Sequence, residues 1–300
     1  MFTKKTSLII PTFNRPSFLS KILSQINFLK INFKEIIIID SSDSKNKKLI
    51  SNICKIYSVK LYNSLPSASK QRNIGLKKVN KNSEFVMFLD DDIFFFSDSF
   101  IKMNNFLLKN KNNFNGFGFN LIQKRKKNFL DKIKNTKFIN YLNLYSHKPG
   151  IITKSGWHTT ISNLKNNTKV DWIYTAASIY KLNTVKNIRF SNSFGRYSYL
   201  EDLDYSLKIK DRKFVIVSSA RFKHPNDIIR NNYNFGIIEI FNRFLIVHRY
   251  KLSKKSFFLG AILRTVISFS GFFEGKPKSI FRTFGNIIGI LKSLLRLLSH

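Results

Sequence analysis

Cysteine occurs once in the 300 residues, at Cys54. That excludes a disulfide framework within the chain and points to a reducing compartment. A secretory leader is not expected either. Lys4 and Lys5 are followed only by Leu8-Ile9-Ile10 before Pro11, too short an apolar run for a signal-peptide core. The expected location is therefore the cytoplasm. Acidic residues are scarce: 17 Asp and Glu face 52 Lys and Arg, a formal net charge of +35. Such a charge suits nucleic acid or anionic lipid. The lysines are spread rather than gathered in one run, and neither a zinc-finger nor a basic-zipper pattern is present. Lys, Asn, Ile and Phe are abundant along the whole chain, as an AT-rich coding sequence would produce. A hydrophobic content of 43% supports a sizeable core, and the length suits one large domain or one domain with an appendage.

Against this basic background one stretch stands out. Phe85-Val86-Met87-Phe88-Leu89 is an apolar run of strand length that ends in Asp90-Asp91-Asp92 and is followed at once by Ile93-Phe94-Phe95-Phe96. Adjacent carboxylates repel one another and are costly to bury unpaired. A cluster of this kind beside an apolar run suits a hard divalent ion, Mg²⁺ or Mn²⁺, shared with substrate phosphates. The bland alternative is a solvated acidic turn.

The flanking pattern sets the fold class. Ser7 to Thr12 reads as a buried strand broken by Pro11, and Ser17 can cap a helix from Phe18 to Lys30. Glu35 to Asp40 is a continuous apolar strand of the parallel-sheet type that also ends in an acid. A helix over Leu49–Tyr57, a strand over Val59–Tyr62 and a helix over Ala68–Lys78 precede the acidic strand. This alternation predicts a doubly wound α/β sheet. Helix is expected over Ser97–Leu108 and strand over Gly116–Phe119. Residues 123–155 are basic and mixed, without a clear pattern. Beyond Asp171–Tyr180, which reads as a turn and then small residues in a strand, and a glycine kink at Phe194-Gly195-Arg196-Tyr197, a helix opens with Glu201 and Asp202 in its first turn, where the helix dipole favours acids. A strand at Phe214–Val217, the segment Arg221–Asn226 leaving it, and a long helix over Tyr233–Tyr250 complete the body.

The last fifty residues differ in character. Phe257–Phe273 is apolar but interrupted by Arg264. In Ile280–Leu298, Arg282, Asn286, Gly289, Ser293 and Arg296 recur on one side, with Phe281, Phe284, Ile288, Leu291, Leu295 and Leu298 away from them. That is an amphipathic helix of the type that lies on membranes, the alternative being an ordinary helix packed on the domain. The expected division is a domain over residues 1–250, in halves 1–110 and 111–250, and a basic amphipathic tail over 251–300 at the membrane surface.

Taken together, Leu8 to Arg15, Ile38-Ile39-Asp40-Ser41-Ser42-Asp43, Arg72-Asn73-Ile74-Gly75, Leu89-Asp90-Asp91-Asp92 and Glu201-Asp202 resemble the family 2 inverting glycosyltransferases of the GT-A fold, over about residues 5–250. No one motif is specific; their order and spacing carry the resemblance. It implies a GT-A-like, mostly parallel doubly wound sheet, a nucleotide-sugar donor, a divalent metal and inversion at the anomeric carbon. Pro11, Thr12 and Arg15 match positions near the nucleotide, Asp40 the base-contacting acid, and Arg72 a donor-contacting arginine. Asp90, with Asp91, would face the ribose or sugar, Asp92 the metal and diphosphate. Many relatives carry a second acid directly after the base-contacting one; here Ser41 follows, with Asp43 further on. His224 stands where some relatives supply a further metal or phosphate ligand. Asp202 would be the general base on the acceptor hydroxyl, and Glu201 would orient the acceptor or the base. Trp157 and Trp172 are candidates for stacking on a sugar, although core packing is the commoner fate of tryptophan.

The expected function is metal-dependent sugar transfer to a glycan or lipid-linked acceptor in cell-surface polysaccharide synthesis, at the inner face of the cell membrane and without a nucleic-acid partner. Two readings compete. One is a basic nucleic-acid-binding protein without catalytic activity. The other is a nucleotidyltransferase, which usually begins with a glycine-rich loop that Pro11-Thr12-Phe13-Asn14-Arg15 lacks.

Overall fold

The computed structural model describes residues 1–123, 136–195, 197–225 and 232–299. They fall into two compact units, residues 1–124 with 161–226, and residues 125–160 with 227–300. Part of the mixed segment 123–155, together with Arg196 and Asn226, lies outside the described residues.

The first unit is built on one sheet in the order β3-β2-β1-β4-β8-β6-β9-β5, with β7 paired to β9. The strands are β1 (Thr6–Thr12), β2 (Glu35–Asp40), β3 (Lys60–Asn63), β4 (Phe85–Leu89), β5 (Phe94–Phe95), β6 (Gly116–Leu121), β7 (Thr168–Val170), β8 (Ala177–Lys181) and β9 (Phe214–Lys223). β1 pairs in parallel with β2 and β4, β2 with β3, and β6 with β9. β8 runs antiparallel between β4 and β6. Thus β1, β2, β3, β4, β6 and β9 share one direction, and their carboxyl ends open on one edge. The sheet is the mostly parallel α/β architecture expected.

Helices α1 (Pro16–Phe28), α2 (Ser44–Ile56), α3 (Ala68–Lys78) and α4 (Ser99–Asn110) follow β1, β2, β3 and β5. The apolar stripe of α1, Leu19, Ile22, Leu23 and Ile26, joins Leu8, Ile10, Ile38, Met87 and Leu89 in one core. Pro11 does not break its strand. The β1–β4 pairing ends at Ile9↔Phe88, so the missing N–H of Pro11 costs no bond on that side. Gly75 of α3 is required by close packing: a Cβ there would lie 2.5 Å from Cγ2 of Ile9.

The second unit is helical: α5 (Lys137–Tyr141), then α8 (Asn232–Arg249), α9 (Lys254–Phe273) and α10 (Ser279–Leu298), the numbers α6 and α7 belonging to Leu182–Val185 and Glu201–Lys208 of the first unit. Its core gathers Trp157, Ile240, Phe244, Val247, Phe257 and Ala261. Among the described residues α9 is the one helix long and apolar enough to cross a membrane, on length and composition. α10 is amphipathic as expected, but its polar side is turned inward. Thr283, Gly285, Asn286, Gly289 and Ser293 are buried, whereas Phe281, Phe284, Leu291, Leu295 and Leu298 are exposed. The physical reason is close helix packing. Cβ atoms at Gly285 and Gly236 would lie 2.1 Å from the Tyr233 carbonyl oxygen and 2.6 Å from the Arg282 carbonyl oxygen, so small residues are needed where α8 and α10 meet.

Candidate active site

Parallel strands deliver chemistry-bearing residues from distant parts of the chain to one edge. Thr12 ends β1, Asp40 ends β2 opposite it in register, Asp90–Asp92 follow β4, and His224 follows β9.

The three aspartates take different roles. Asp91 is turned into the fold: its Oδ2 accepts from Thr12 Oγ1 at 2.6 Å, and its Oδ1 lies 3.5 Å from Arg15 Nη1. It binds β1 to the acidic turn and presents little surface to a donor. Burial pushes its carboxyl up to about 7, against the Thr12 hydrogen bond. Asp92 is held from two sides, by Arg15 Nη1 at 2.6 Å on Oδ2 and by His224 Nε2 at 3.1 Å on Oδ1. Burial alone would raise its carboxyl, but His224 and Arg15 hold it below the usual range. His224, in turn, is raised to about 9 despite burial, through its bond to Asp92. Its Nδ1 is 2.9 Å from the Pro225 carbonyl oxygen. Asp90 remains partly open and receives Arg72 Nη2 on Oδ1 at 2.6 Å.

Asp90, Asp92 and His224 offer ligand atoms within 4.8 Å of one another. Two carboxylates and an imidazole fit a divalent ion, and the imidazole suits Mn²⁺ better than Mg²⁺. The sequence reading paired Asp92 with His224; the fold adds Asp90 to that group.

Arg72 is the hub of the site. It is buried on α3, and its guanidinium reaches Asp90 with one nitrogen and Glu201 Oε1 with the other. The aromatic ring of Phe190 lies 5.7 Å beneath it. Phe190 stacks on Tyr205 at 3.9 Å and 6°, which anchors α7, the helix that Glu201 begins. Glu201 Oε2 accepts from Ser69 Oγ at 2.6 Å. Burial raises the Glu201 carboxyl in spite of Arg72. Asp202, half-buried, accepts from the Leu203 N–H at 2.8 Å. Burial, with the charge of Glu201 adding to it, pushes Asp202 up to about 7. The turn into α7 is strained: Leu200 has φ 72° and Ser198 φ 52°, a left-handed conformation that costs a side-chain-bearing residue about 1–3 kcal/mol.

Asp40 is 1% exposed. Its Oδ1 accepts from the N–H and Oγ of Ser42 at 2.9 and 2.5 Å. Its Oδ2 is buried without a hydrogen-bond partner among the described residues. An acceptor in that condition suits a donor group on a ligand. Pro11 is enclosed in β1. Trp157 and Trp172 are both core residues, 4% and 1% exposed, so neither offers a sugar-stacking face.

Sequence reasoning missed Ser69, Gln71, Ser198 and Phe190. Gln71 Nε2 donates to the carbonyls of Thr12 and Ile39, both at 2.8 Å, and so fixes the ends of β1 and β2. Ser69 lies three residues before Arg72, on the same helix face, and that spacing was the available signal. Phe190 carried no signal, because the loop that brings it under Arg72 has no periodicity.

The family model described as glycosyl transferase family 2 matches residues 7–174. The chain belongs to this family. Its fold resembles a mannosyltransferase from Pyrobaculum calidifontis solved with GDP-Man and Mn²⁺, at TM-score 0.56 and 11% identity over 95% of this chain and 87% of that one. It also resembles glucosyl-3-phosphoglycerate synthase from Mycobacterium tuberculosis, at TM-score 0.52 and 11% identity over 83% and 81% of the two chains. S. aureus TarS matches at TM-score 0.51 and 14% identity over 81% of this chain, which spans only 39% of the length of TarS. At these identities the likeness is one of fold. No curated protein matches the family 2 chain described here.

Proposed function

We propose that this glycosyltransferase is metal-dependent and inverting, moving a sugar from a nucleoside-diphosphate donor to a hydroxyl of a glycan or lipid-linked acceptor in cell-surface polysaccharide synthesis. The observation that carries the reading is the convergence of Asp90, Asp92 and His224 with the Arg72–Glu201 pair at one sheet edge. Solved relatives of this fold hold Mn²⁺, one of them with GDP-Man.

The geometry supports the following division of roles. Asp40 receives the base on its unpartnered Oδ2. Thr12 and Arg15 shape the nucleotide side of the pocket, with Pro11 holding their strand. Asp90, Asp92 and His224 would hold Mn²⁺ or Mg²⁺, which supplies charge neutralisation to the departing diphosphate. Arg72 steers the donor and keeps Asp90 in place. Asp202 takes the acceptor proton as the oxygen attacks from the face opposite the leaving group, and its raised carboxyl suits a base near neutral pH. Glu201, locked by Arg72 and Ser69, orients that base. Donor binding is assigned to residues 1–110 and acceptor contacts to 111–250. Residues 251–300 place the enzyme at the inner face of the cell membrane, where a lipid-linked acceptor would be presented.

The test is nucleotide release from a panel of UDP-, dTDP- and GDP-sugars, with Mn²⁺, with Mg²⁺ and with chelator. Expected is release from one donor class, abolished by chelator and reduced at least about 100-fold in Asp202→Asn once acceptor is supplied. Steeply salt-dependent nucleic-acid binding without any donor turnover would overturn the proposal in favour of the basic binding protein.

A further inference from the structure

The helical unit carries its polarity reversed. Inside it, Glu239 of α8 accepts from Arg264 Nε at 3.1 Å and from Arg282 Nη2 at 2.7 Å. Asn286 and Ser268, both buried, share a hydrogen bond at 3.1 Å. Gly285, Gly289 and Ser293 form a small-residue row at four-residue spacing that lets α10 close on α8. Outside it, α9 exposes Leu259, Ile262, Val266, Phe269 and Phe273, and α10 exposes Phe281, Phe284, Ile287, Leu291, Leu295 and Leu298. A water-facing helix pair has the opposite arrangement. Polar groups satisfied internally, small residues at the helix contact and apolar side chains outward are what a hydrocarbon surrounding selects.

The positions of the cations say how the pair is oriented. On a 3.6-residue repeat, Lys292 and Arg296 of α10 fall at one margin, between the apolar face and the packed face, and both are exposed. Exposed Lys254 and Lys255 begin α9, and exposed Lys276 and Lys278 lie in the turn that joins it to α10. A helix crossing a bilayer would carry Lys292 and Arg296 into hydrocarbon. A helix lying in the plane of one leaflet keeps them at headgroup level with their stems on the apolar side. The net charge of +35 complements anionic lipid.

We propose that α9 and α10 embed their outer apolar faces in one leaflet of an anionic bilayer, lying in its plane, with the basic margin of α10 at the headgroups. This deepens the membrane placement given above. It does not depend on the sugar-transfer reaction, and its test uses no donor, so the two readings fail separately.

The experiment is flotation of the full chain with phosphatidylcholine vesicles containing 30% phosphatidylglycerol, repeated in 0.5 M NaCl. A second measurement attaches an environment-sensitive dye (NBD) to Leu291→Cys, with Lys30→Cys of the first unit as control. The native Cys54 is buried and, through burial and the charge of Asp40, has its thiol raised to about 11, so it competes little for label. Expected is at least half of the flotation retained at high salt, a blue shift at position 291 and quenching there by acyl-chain bromolipids, with none at position 30. Phe284→Ser/Leu291→Ser/Leu295→Ser should lower vesicle affinity at least tenfold while leaving thermal unfolding of the sheet unit in place. Complete release by salt would overturn insertion in favour of charge alone. A dye shift without vesicles that rises with protein concentration, together with a stable dimer, would overturn it in favour of a second copy covering the face.

Discussion

Arg72→Met tests the centre of the site through stability as well as activity. Arg72 is 4% exposed, and its two anionic partners, Asp90 and Glu201, are 28% and 9% exposed. Removing the cation leaves Glu201 buried with Ser69 as its remaining partner. Breaking a buried pair on one side costs about 3–5 kcal/mol, because a charge or an unfavourable protonation is left behind. For a unit of this size each kcal/mol lowers Tm by about 2–4 °C, so the expected loss is roughly 6–20 °C. Glu201→Leu alone should cost a similar amount. Removing both partners together removes the uncompensated charge, so Arg72→Met/Glu201→Leu should be markedly less destabilised than the sum of the single changes. The assay is thermal or urea unfolding of the four proteins as a double-mutant cycle. A coupling energy near zero would refute the pairing. So would an Arg72→Met protein as stable as wild type at pH 7.

Asp202 gives a pH signature with a definite sign. The proposed base acts when deprotonated, so kcat/KM should rise with pH and level off above about 7, a limb that Asp202→Asn should abolish. Its folded carboxyl sits above the ordinary 3.8, so ionisation works against folding. The cost is absent below about pH 4 and complete above about pH 7, to at most about 4 kcal/mol. Asp202→Asn should therefore raise Tm at pH 8 and leave it nearly unchanged at pH 4; equal effects at both would contradict the shift. Gly285→Ala would set a Cβ 2.1 Å from the Tyr233 carbonyl oxygen, so α10 must move away from α8. A loss of about 1–3 kcal/mol in unfolding experiments is expected, and a neutral result would mean that the helices are not in close contact. Asp40→Asn keeps its shape and the Ser42 bonds but turns an acceptor into a donor at one position, so the donor KM should rise while Tm stays within about 2 °C.

The first hundred residues were legible because local and global preferences agree there. Continuous apolar runs and a buried amphipathic stripe on α1 point to the alternating fold that forms, although α1 begins at Pro16 and Ser17, expected as its cap, lies inside the helix. The acids at strand ends were legible for the same reason: parallel strands must bring Thr12, Asp40 and Asp90–Asp92 to one edge. Two features were not. The inward turn of Asp91 depends on the Thr12 hydroxyl across the sheet, and adjacent aspartates look alike in sequence. The orientation of α10 was also hidden. Its amphipathicity is plain in the periodicity, but periodicity does not say which face packs. That was decided by Gly236, Gly285 and Gly289, whose missing side chains let the backbones approach. Phe190 and Ser198 reach the site from loops, where composition carries no register.

The most direct test of the account is equilibrium Mn²⁺ binding to the full chain, followed by electron paramagnetic resonance, without nucleotide and with UDP or GDP, in wild type, Asp92→Asn and His224→Ala. The account predicts a single tight Mn²⁺ per chain, tightened further by one of the two nucleoside diphosphates and weakened at least tenfold by either substitution. Mn²⁺ binding that ignores both substitutions, or that no nucleoside diphosphate alters, would contradict the assignment of this sheet edge as the donor and metal site.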